Sequence, residues 1–380
     1  MVTKRRGHGD GDIHKRTDGR WEARLDLGSP GGQRQRKSVY GATRTEVVDK
    51  LRRAQDAADK GLPQLDERVR VDEYLEVWLS EVVKPNRAYA TWQGYSVNVT
   101  RHIIPVVGHL RLAKLGPADV QALLNAKRAE GLAPRTLQYI HATVRASLSV
   151  ATRWGLVARN VATLVEPVTV DRAPVVPFTP HEVQALLSAS RSDRLGPFYT
   201  VAMAVGLRPS EALALMWDDV DLTGGSLRVR HALERHDGSW VLKEPKSRRS
   251  RRTIMLPRVC IDALRDHRRR QMEERLVAGN RWEDHGLVFA TPNGQAMSRT
   301  EVSRRFSVLQ EDAGVSHHRL YDCRHTAASL LLAQGVAARV VMEILGHSSF
   351  SLTMDTYTSV MPVLMSDAAD AMDRALAPVR

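Results

Sequence analysis

The sequence predicts a multidomain, mainly α protein with a small β-rich N-terminal domain, a four-helix domain and a mixed α/β C-terminal domain, mostly helical with a β-hairpin sheet. Three observations support this prediction. The chain has 380 residues, which is too long for one hydrophobic core. Apolar residues repeat every second position near the N-terminus and at helical spacing further on. Proline-containing segments at 63–66 and 171–177 predict linkers, which gives domains at 1–62, 66–165 and 174–380.

The first 62 residues contain the pattern of a three-stranded sheet. Residues 21–27 alternate between apolar and polar types, as expected of a strand with one buried face. The turn residues Thr-Asp-Gly at 17–19 precede this strand and predict a partner strand over 11–16. A second turn, Ser-Pro-Gly-Gly at 29–32, leads into a third strand over 33–40.

A helix from Thr43 to Lys60 is predicted to follow the sheet, because Thr43 and Glu46 have capping-box spacing and Gly61 suits a helix end. Residues 1–62 contain 15 Lys and Arg against 9 Asp and Glu. A three-stranded sheet can place basic side chains in the major groove of DNA. We therefore predict DNA contacts here rather than a merely solvated basic surface, with these candidates on the third strand: Arg34, Arg36 and Lys37.

Four amphipathic helices are predicted for the second domain, at 71–82, 88–104, 117–130 and 134–154. Pro105 is expected to end the second of them. Four helices spanning about a hundred residues are sufficient for a compact bundle. Several basic residues of this domain could line DNA or be ordinary exposed charges; the candidates are Arg87, Arg101 and Arg135.

The C-terminal domain is predicted to consist of helices around one β region at 226–256. Thr179 and Glu182 form a capping box at a helix start, and a further helix is expected over 195–205. Within the β region, the turn His-Asp-Gly at 236–238 predicts a hairpin. The next turn is expected to place Lys246 at a hairpin tip, followed by further candidates for DNA-phosphate contact: Arg248 and Arg249.

Charge and cysteine usage limit the function classes. The formal net charge is +13, which favours a polyanionic partner. Nucleic acid is favoured over a membrane surface, because no long apolar run occurs and the basic residues are dispersed. The two cysteines, Cys260 and Cys323, have no metal-type spacing and are expected to be reduced thiols of an intracellular protein. The basic N-terminus lacks the apolar core of a signal peptide.

Three short segments near the C-terminus suit chemistry on a phosphodiester. They are Arg-Leu-Tyr-Asp-Cys-Arg-His-Thr at 319–326, Leu-Gly-His-Ser-Ser at 345–349 and Asp-Thr-Tyr at 355–357. An arginine can hold a phosphate bidentately, a tyrosine can attack phosphorus, and a histidine can donate a hydrogen bond or a proton. Arg208 lies before a predicted helix N-terminus, where an anion is also favoured.

Taken together, these motifs resemble the tyrosine recombinase family, specifically a temperate-phage or mobile-element integrase of high-GC, actinobacterial-type bacteria. Gly-Leu-Arg-Pro-Ser-Glu around Arg208 resembles the first arginine box, and Pro-Lys-Ser around Lys246 resembles the β-hairpin lysine. Arg324 and the five residues after it resemble the second arginine box. His347 and Tyr357 lie in segments that resemble the histidine and nucleophile boxes.

The resemblance implies roles for these residues. Tyr357 would be the nucleophile that forms a 3′-phosphotyrosyl link and releases a 5′-hydroxyl. Arg208 and Arg324 would clamp the non-bridging oxygens, Lys246 would protonate the leaving oxygen, and His347 would hydrogen-bond the phosphate. Such enzymes need neither ATP nor a metal.

The resemblance also implies partners and a cellular location. The partner is double-stranded DNA with core-type and arm-type attachment sites, on which the protein would act as a homotetramer. An excisionase and a host DNA-bending protein are candidate further partners, and no membrane is involved. The location implied is the cytoplasm of a bacterial host, in association with the nucleoid.

Tyr321 departs from the family pattern, because a histidine commonly occupies the position three residues before the second arginine. A tyrosine hydroxyl has an ordinary pKa near 10 and is a poor base at neutral pH. Tyr321 is therefore interpreted as a hydrogen-bond partner of the phosphate or as a residue that orients Tyr357.

Two alternatives to a recombinase remain open on the sequence. The first is a catalytically silent, site-specific DNA-binding protein of the same family. Retention of all five candidate catalytic side chains argues against it. The second is a relaxing enzyme similar to type IB topoisomerases, which the separate basic N-terminal domain disfavours.

Overall fold

A computed structural model shows that the chain forms two compact units, residues 1–172 and 173–380. The two units are mainly helical, with one small sheet near the N-terminus and others in the second unit, and this architecture confirms the predicted fold class. Among the described helices, none combines the length and apolar composition needed to cross a membrane. The structure describes residues 12–26, 36–59, 68–170, 176–244, 250–346 and Met372. The predicted linker at 63–66 and most of the one at 171–177 lie outside these ranges.

The three strands predicted near the N-terminus form an antiparallel sheet in the order β1-β2-β3. The strands are β1 (Asp12–Lys15), β2 (Trp21–Asp26) and β3 (Arg36–Gly41). Alternation along β2 directs Ala23 and Leu25 into a small core, where they meet Val47 and Leu51 of the following helix. One face of the sheet is therefore apolar and packed, and the opposite face carries polar side chains.

Helix α1 (Arg44–Asp59) confirms the predicted helix and its capping box. The backbone N–H of Glu46 donates to Thr43 Oγ1 at 3.2 Å, and the backbone N–H of Ala42 donates to Glu46 Oε2 at 2.9 Å. These bonds satisfy N–H groups that have no partner within the helix.

The helical region after residue 68 contains six α segments around one core. This core includes the fully buried residues Trp78, Ile103 and Leu137. The predicted helices at 117–130 and 134–154 are confirmed as α6 and α7 with nearly the same bounds. The segments are α2 (Val71–Val77), α3 (Lys84–Asn86), α4 (Tyr89–Val97), α5 (Ile104–Val107), α6 (Pro117–Ala129) and α7 (Pro134–Arg153).

The prediction that Pro105 ends a helix is wrong, because helical structure continues through it to Val107. A π-helical segment, Asn98–Ile103, lies immediately before α5, and the N–H of Ile104 donates to the carbonyl of Val99, five residues back. A wider turn gives room for the proline ring, which would otherwise collide with the preceding turn. Another π-helical segment, Trp78–Val83, precedes Pro85 in the same way.

The second unit is organised around α9, which has no charged residue and is buried along nearly its whole length. Its side chains Phe198, Tyr199 and Val201 lie in the largest core among the described residues. Helices α11 and α13 pack directly against it. The helices of this unit are α8 (Pro180–Ala189), α9 (Gly196–Val205), α10 (Pro209–Leu213), α11 (Arg258–Ala278), α12 (Arg299–Asp312), α13 (Asp322–Ala333) and α14 (Ala338–Leu345).

Five strands of the second unit form two separate antiparallel sheets, β4-β5-β8 and β6-β7. The predicted turn between β6 and β7 is confirmed, with Asp237 and Gly238 both at positive φ, as in a type I′ turn. The strands are β4 (Val220–Asp221), β5 (Ser226–Val229), β6 (Ala232–His236), β7 (Ser239–Lys243) and β8 (Arg252–Met255).

The predicted second hairpin, in which β8 would pair with β7, is wrong, and Lys246, expected at its tip, lies outside the described residues. Strand β8 pairs with β5 and not with β7, so the connection that contains Lys246 joins strands of two sheets. The buried pair Leu227 and Ile254 explains this choice, because burying both side chains fixes the register of β8 on β5.

Candidate active site

The first candidate arginine, Arg208, lies at the junction between α9 and α10. Gly206 ends α9 with φ of +64°, and Pro209 begins α10. A Cβ atom at Gly206 would lie 2.5 Å from Leu345 Cδ2 and 3.1 Å from Ala327 Cβ. Glycine is therefore required both for the backbone conformation and for the close approach of this turn to α13 and α14.

The guanidinium of Arg208 is held by two partners from different parts of the unit. Nη1 lies 2.5 Å from Glu211 Oε1, and Nη2 donates to the carbonyl oxygen of Gly346 at 3.1 Å. The other carboxylate oxygen of Glu211 accepts the backbone N–H of Arg208 at 3.1 Å. Glu211 therefore braces Arg208 through both carboxylate oxygens.

The second candidate arginine, Arg324, is only 2% exposed, although it belongs to the first turns of α13. Nη1 donates to the carbonyl oxygen of Gly206 at 2.9 Å, and Nη2 donates to that of Leu345 at 2.7 Å. Its Nε is buried and has no hydrogen-bond partner among the described residues. Burial, together with the charge of Arg208, lowers the pKa of Arg324 to about 10, so the side chain remains charged at neutral pH.

A third arginine, Arg252 at the start of β8, also belongs to this cluster. Its Nε donates to the carbonyl oxygen of Ile344 at 2.5 Å, and its Nη2 donates to Glu211 Oε2 at 3.0 Å. Three arginines therefore donate to three consecutive carbonyls, 344 to 346, at the C-terminal end of α14. These carbonyls lack partners within the helix and carry its negative dipole end.

Sequence reasoning did not single out Arg252, although the strand pattern contained a signal for it. Residues two apart on a strand lie on one face, so the core position of Ile254 predicts that Arg252 also points inward. An inward-pointing arginine requires acceptors. The sequence thus implied a buried partner for Arg252, but not which one.

Glu211 is the acid that joins two of these arginines. Its side chain is 3% exposed and contacts both Arg208 and Arg252. Burial by itself would raise the pKa of Glu211, but the charges and hydrogen bonds of Arg252 and Arg208 outweigh this effect and lower the pKa below its ordinary value. The described part of the cluster therefore contains three guanidinium groups and one carboxylate, a net positive charge suited to a phosphate.

Tyr321 lies at the start of α13 with 42% of its surface exposed. Its ring meets the ring of His325 edge-on, with 5.5 Å between centroids. Burial lowers the pKa of His325, which favours the neutral imidazole. Asp322 pairs with Arg319 at 2.9 Å, whereas Arg324 donates to backbone carbonyls.

Several predicted site residues lie outside the part of the chain that the structure describes. For Arg36 and Lys37 the structure describes the backbone only, in β3. His347 is the residue directly after Gly346, so the described chain ends at the cluster just before it. The candidates outside the described ranges are Arg34, Lys246, Arg248, Arg249, His347 and Tyr357.

The candidate DNA-contacting residues of the helical region, Arg87, Arg101 and Arg135, are all exposed and lie on different segments. The guanidinium of Arg135 stacks on the ring of Tyr139, 4.7 Å from its centroid, and donates to its hydroxyl at 3.1 Å. Stacking fixes the direction of this arginine on an exposed helix face.

Comparisons with known proteins identify similar sequences over most of the chain. The model of the phage integrase family matches residues 177–362, and the model of the phage integrase N-terminal SAM-like domain matches residues 71–128. An integrase from Streptomyces ambofaciens is 32% identical, with 98% of each chain covered. An integrase from Saccharopolyspora erythraea is 28% identical, with 97% of each chain covered.

Two groups of solved structures share the fold. The Tn1549 transposon integrase in complex with transposon right end DNA matches with a TM-score of 0.65 and 20% identity, covering 82% of this chain and all of that one. A lambda integrase dimer bound to a COC′ core site matches with a TM-score of 0.57 and 16% identity, covering 93% of this chain and 96% of that one. Because similarity to the Streptomyces integrase extends over nearly the whole chain, and the family model covers both candidate arginines, this chain belongs to the phage integrase family of tyrosine recombinases.

Proposed function

We propose that this protein is a site-specific DNA recombinase that integrates or excises a phage or another mobile element. The observation that carries the proposal is the convergence of Arg208 and Arg324 on adjacent carbonyls, Gly346 and Leu345, directly before His347. Two guanidinium groups of different elements are thereby brought together at the C-terminal end of α14. Fixed positive charge of this kind stabilises the charge that develops on a phosphate during transfer.

In the proposed reaction, Tyr357 Oη attacks the scissile phosphorus and the bond to the 5′-oxygen breaks. Arg208 and Arg324 hold the non-bridging oxygens, and His347 donates a hydrogen bond to one of them. Lys246 supplies the proton that the leaving 5′-oxygen takes up. The phosphotyrosyl link is about as energetic as the bond it replaces, so a second 5′-hydroxyl can reverse the step on another strand without a further energy source.

Tyr321 is proposed to donate a hydrogen bond to the same phosphate. Its hydroxyl is carried by an exposed ring one turn before His325, three residues from Arg324. A hydroxyl donor placed there can contribute to binding the developing charge without acting as a base.

The proposed assembly is a homotetramer on two DNA duplexes, located in the cytoplasm with the nucleoid. Residues 1–62 would bind arm-type sites, residues 66–165 would bind the core site, and residues 174–380 would carry out cleavage. Separate cores for the N-terminal sheet and for the helical region support this division. An excisionase and a host DNA-bending protein remain candidate partners.

The proposed function is tested by trapping the covalent intermediate. Wild-type protein is incubated, in a buffer with chelator, with nicked DNA that carries candidate attachment sites from the flanks of the integrated element. We expect a protein–DNA adduct that survives denaturant and is removed by protease. Tight, site-specific binding without any adduct would contradict the proposal.

Removal of residues 1–62 tests the division of labour between domains. The truncated protein is expected to cleave isolated core-site DNA at nearly the wild-type rate, because Arg208 and Arg324 make the contacts described above within the second unit. Integration between complete attachment sites is expected to fall strongly, because the arm contacts are lost. Adduct formation on core sites and recombination of full sites are measured in parallel. Loss of core-site cleavage in a folded truncation would contradict the domain assignment.

A further inference from the structure

The contacts of Arg208 and Arg252 form a closed ring. Arg208 contacts Glu211 and the carbonyl of Gly346, while Arg252 contacts the same carboxylate and the carbonyl of Ile344. Arg208 is held by the carboxylate of Glu211 and by the C-terminal end of α14. Arg252 contacts both of these groups as well. A displacement of either one would be transmitted to the guanidinium of Arg208.

Each guanidinium nitrogen of Arg252 donates a hydrogen bond to a protein acceptor. Its Nη1 donates to the carbonyl oxygen of Ser250 at 3.0 Å, in addition to the bonds from Nε and Nη2. Its side chain is 7% exposed, whereas that of Arg208 is 29% exposed. All three guanidinium nitrogens of Arg252 thus face protein acceptors, and the residue is unsuited to contact DNA directly.

We infer that Arg252 is a positioning residue for strand cleavage: it fixes Arg208 through Glu211 and through the C-terminal end of α14. This inference rests on the proposed function and adds a residue to it. Arg252 is the first residue of β8, and the pairing of β8 with β5 anchors its backbone to the sheet β4-β5-β8. The sheet thereby holds both supports of Arg208 in fixed positions.

A double-mutant cycle tests the inference. Single-turnover adduct formation is measured at saturating protein for wild type, Arg252→Met, Arg208→Lys and the double variant. Arg252→Met is expected to slow cleavage about 10²-fold, the scale of a catalytic group displaced by about 1 Å, with DNA affinity unchanged. Because Arg252 acts through Arg208, the double variant is expected to be about as slow as Arg208→Lys alone.

Two further variants separate positioning from loss of charge. Arg258→Met removes a positive charge from an 82% exposed side chain that is paired with Asp262, and it is expected to cleave at the wild-type rate. Arg252→Lys keeps the charge but lacks the planar fork that reaches several acceptors, so its rate is expected to lie between those of wild type and Arg252→Met. The inference would be overturned if Arg252→Met cleaved at the wild-type rate. It would also be overturned if the rate loss of the double variant equalled the product of the losses of the two single variants.

A readout that does not depend on cleavage distinguishes this inference from the proposed function. The Nε–Hε NMR signal of Arg208, assigned by its disappearance in Arg208→Lys, is expected to shift or broaden in Arg252→Met and to stay unchanged in Arg258→Met. An unchanged signal in Arg252→Met would refute positioning even in an active protein. If the wild type forms no adduct but the Arg208 signal still changes in Arg252→Met, the proposed chemistry is refuted and the positioning of Arg208 by Arg252 is retained.

Discussion

Tyr357→Phe is expected to abolish the covalent protein–DNA adduct completely while leaving affinity for the attachment site unchanged. The substitution removes one oxygen, the proposed nucleophile, and preserves the aromatic ring. Among the described neighbours, the guanidinium groups are not nucleophiles and the carboxylate of Glu211 is already engaged by two arginines, which leaves the exposed hydroxyl of Tyr321 as the alternative to test. The measurement is adduct formation on nicked substrate, accompanied by a binding titration with the same DNA.

Tyr321→Phe provides the matched control, since it makes the same chemical change on an exposed ring near Arg324. This variant is expected to form the adduct more slowly, because it loses the proposed hydrogen bond to the phosphate but keeps the proposed nucleophile. The reverse result, an adduct in Tyr357→Phe and none in Tyr321→Phe, would make Tyr321 the nucleophile. If both variants still formed the adduct, the nucleophile would be a residue other than these two tyrosines.

The second large effect is expected from replacing by lysine each arginine that is proposed to bind the phosphate. Arg208→Lys and Arg324→Lys should each slow cleavage by about 10² to 10³, the cost of removing one donor that stabilises a developing anion. Lysine keeps the charge but cannot hold a phosphate and a carbonyl with one planar group. Single-turnover cleavage at saturating protein measures this loss.

Thermal unfolding is expected to distinguish the two lysine variants. Arg324 is 2% exposed and satisfies the carbonyls of Gly206 and Leu345, so Arg324→Lys leaves at least one buried acceptor unpaired, at a cost of about 1–3 kcal/mol. The melting temperature should fall by roughly 2–4 °C for each kcal/mol. Arg208 is partly exposed, and its lysine variant should melt close to wild type. Equal melting temperatures would contradict the structural role assigned to Arg324.

Much of the fold was predictable because its signals are local. The capping boxes at Thr43 and Thr179, the type I′ turn at Asp237 and the bounds of α6 and α7 all depend on neighbouring residues. The helix through Pro105 was not predictable in this way. A π turn is selected by packing of the surrounding helices, and single-residue preferences favour a break at proline.

The site shows the same division between local and long-range information. Arg208 and Arg324 were predictable from short motifs, and the bracing by Glu211 follows from its position three residues after Arg208. The participation of Arg252 depends on β8 pairing with β5 and packing on α14, which joins residues about 90 positions apart. The turn pattern of the sequence predicts consecutive hairpins, in which β8 would pair with β7. That pairing does not predict the contacts that Arg252 makes.

The three carbonyls at the end of α14 also determine when the arginines lose their rotational freedom. An arginine side chain has about 2 kcal/mol of rotamer entropy, most of which disappears once its guanidinium is fixed. In this protein, hydrogen bonds within the second unit, to the carbonyls of residues 344–346, restrict three such side chains. The entropy is lost during folding of the second unit rather than on DNA binding. Contacts made along the DNA therefore need not offset the ordering of these arginines.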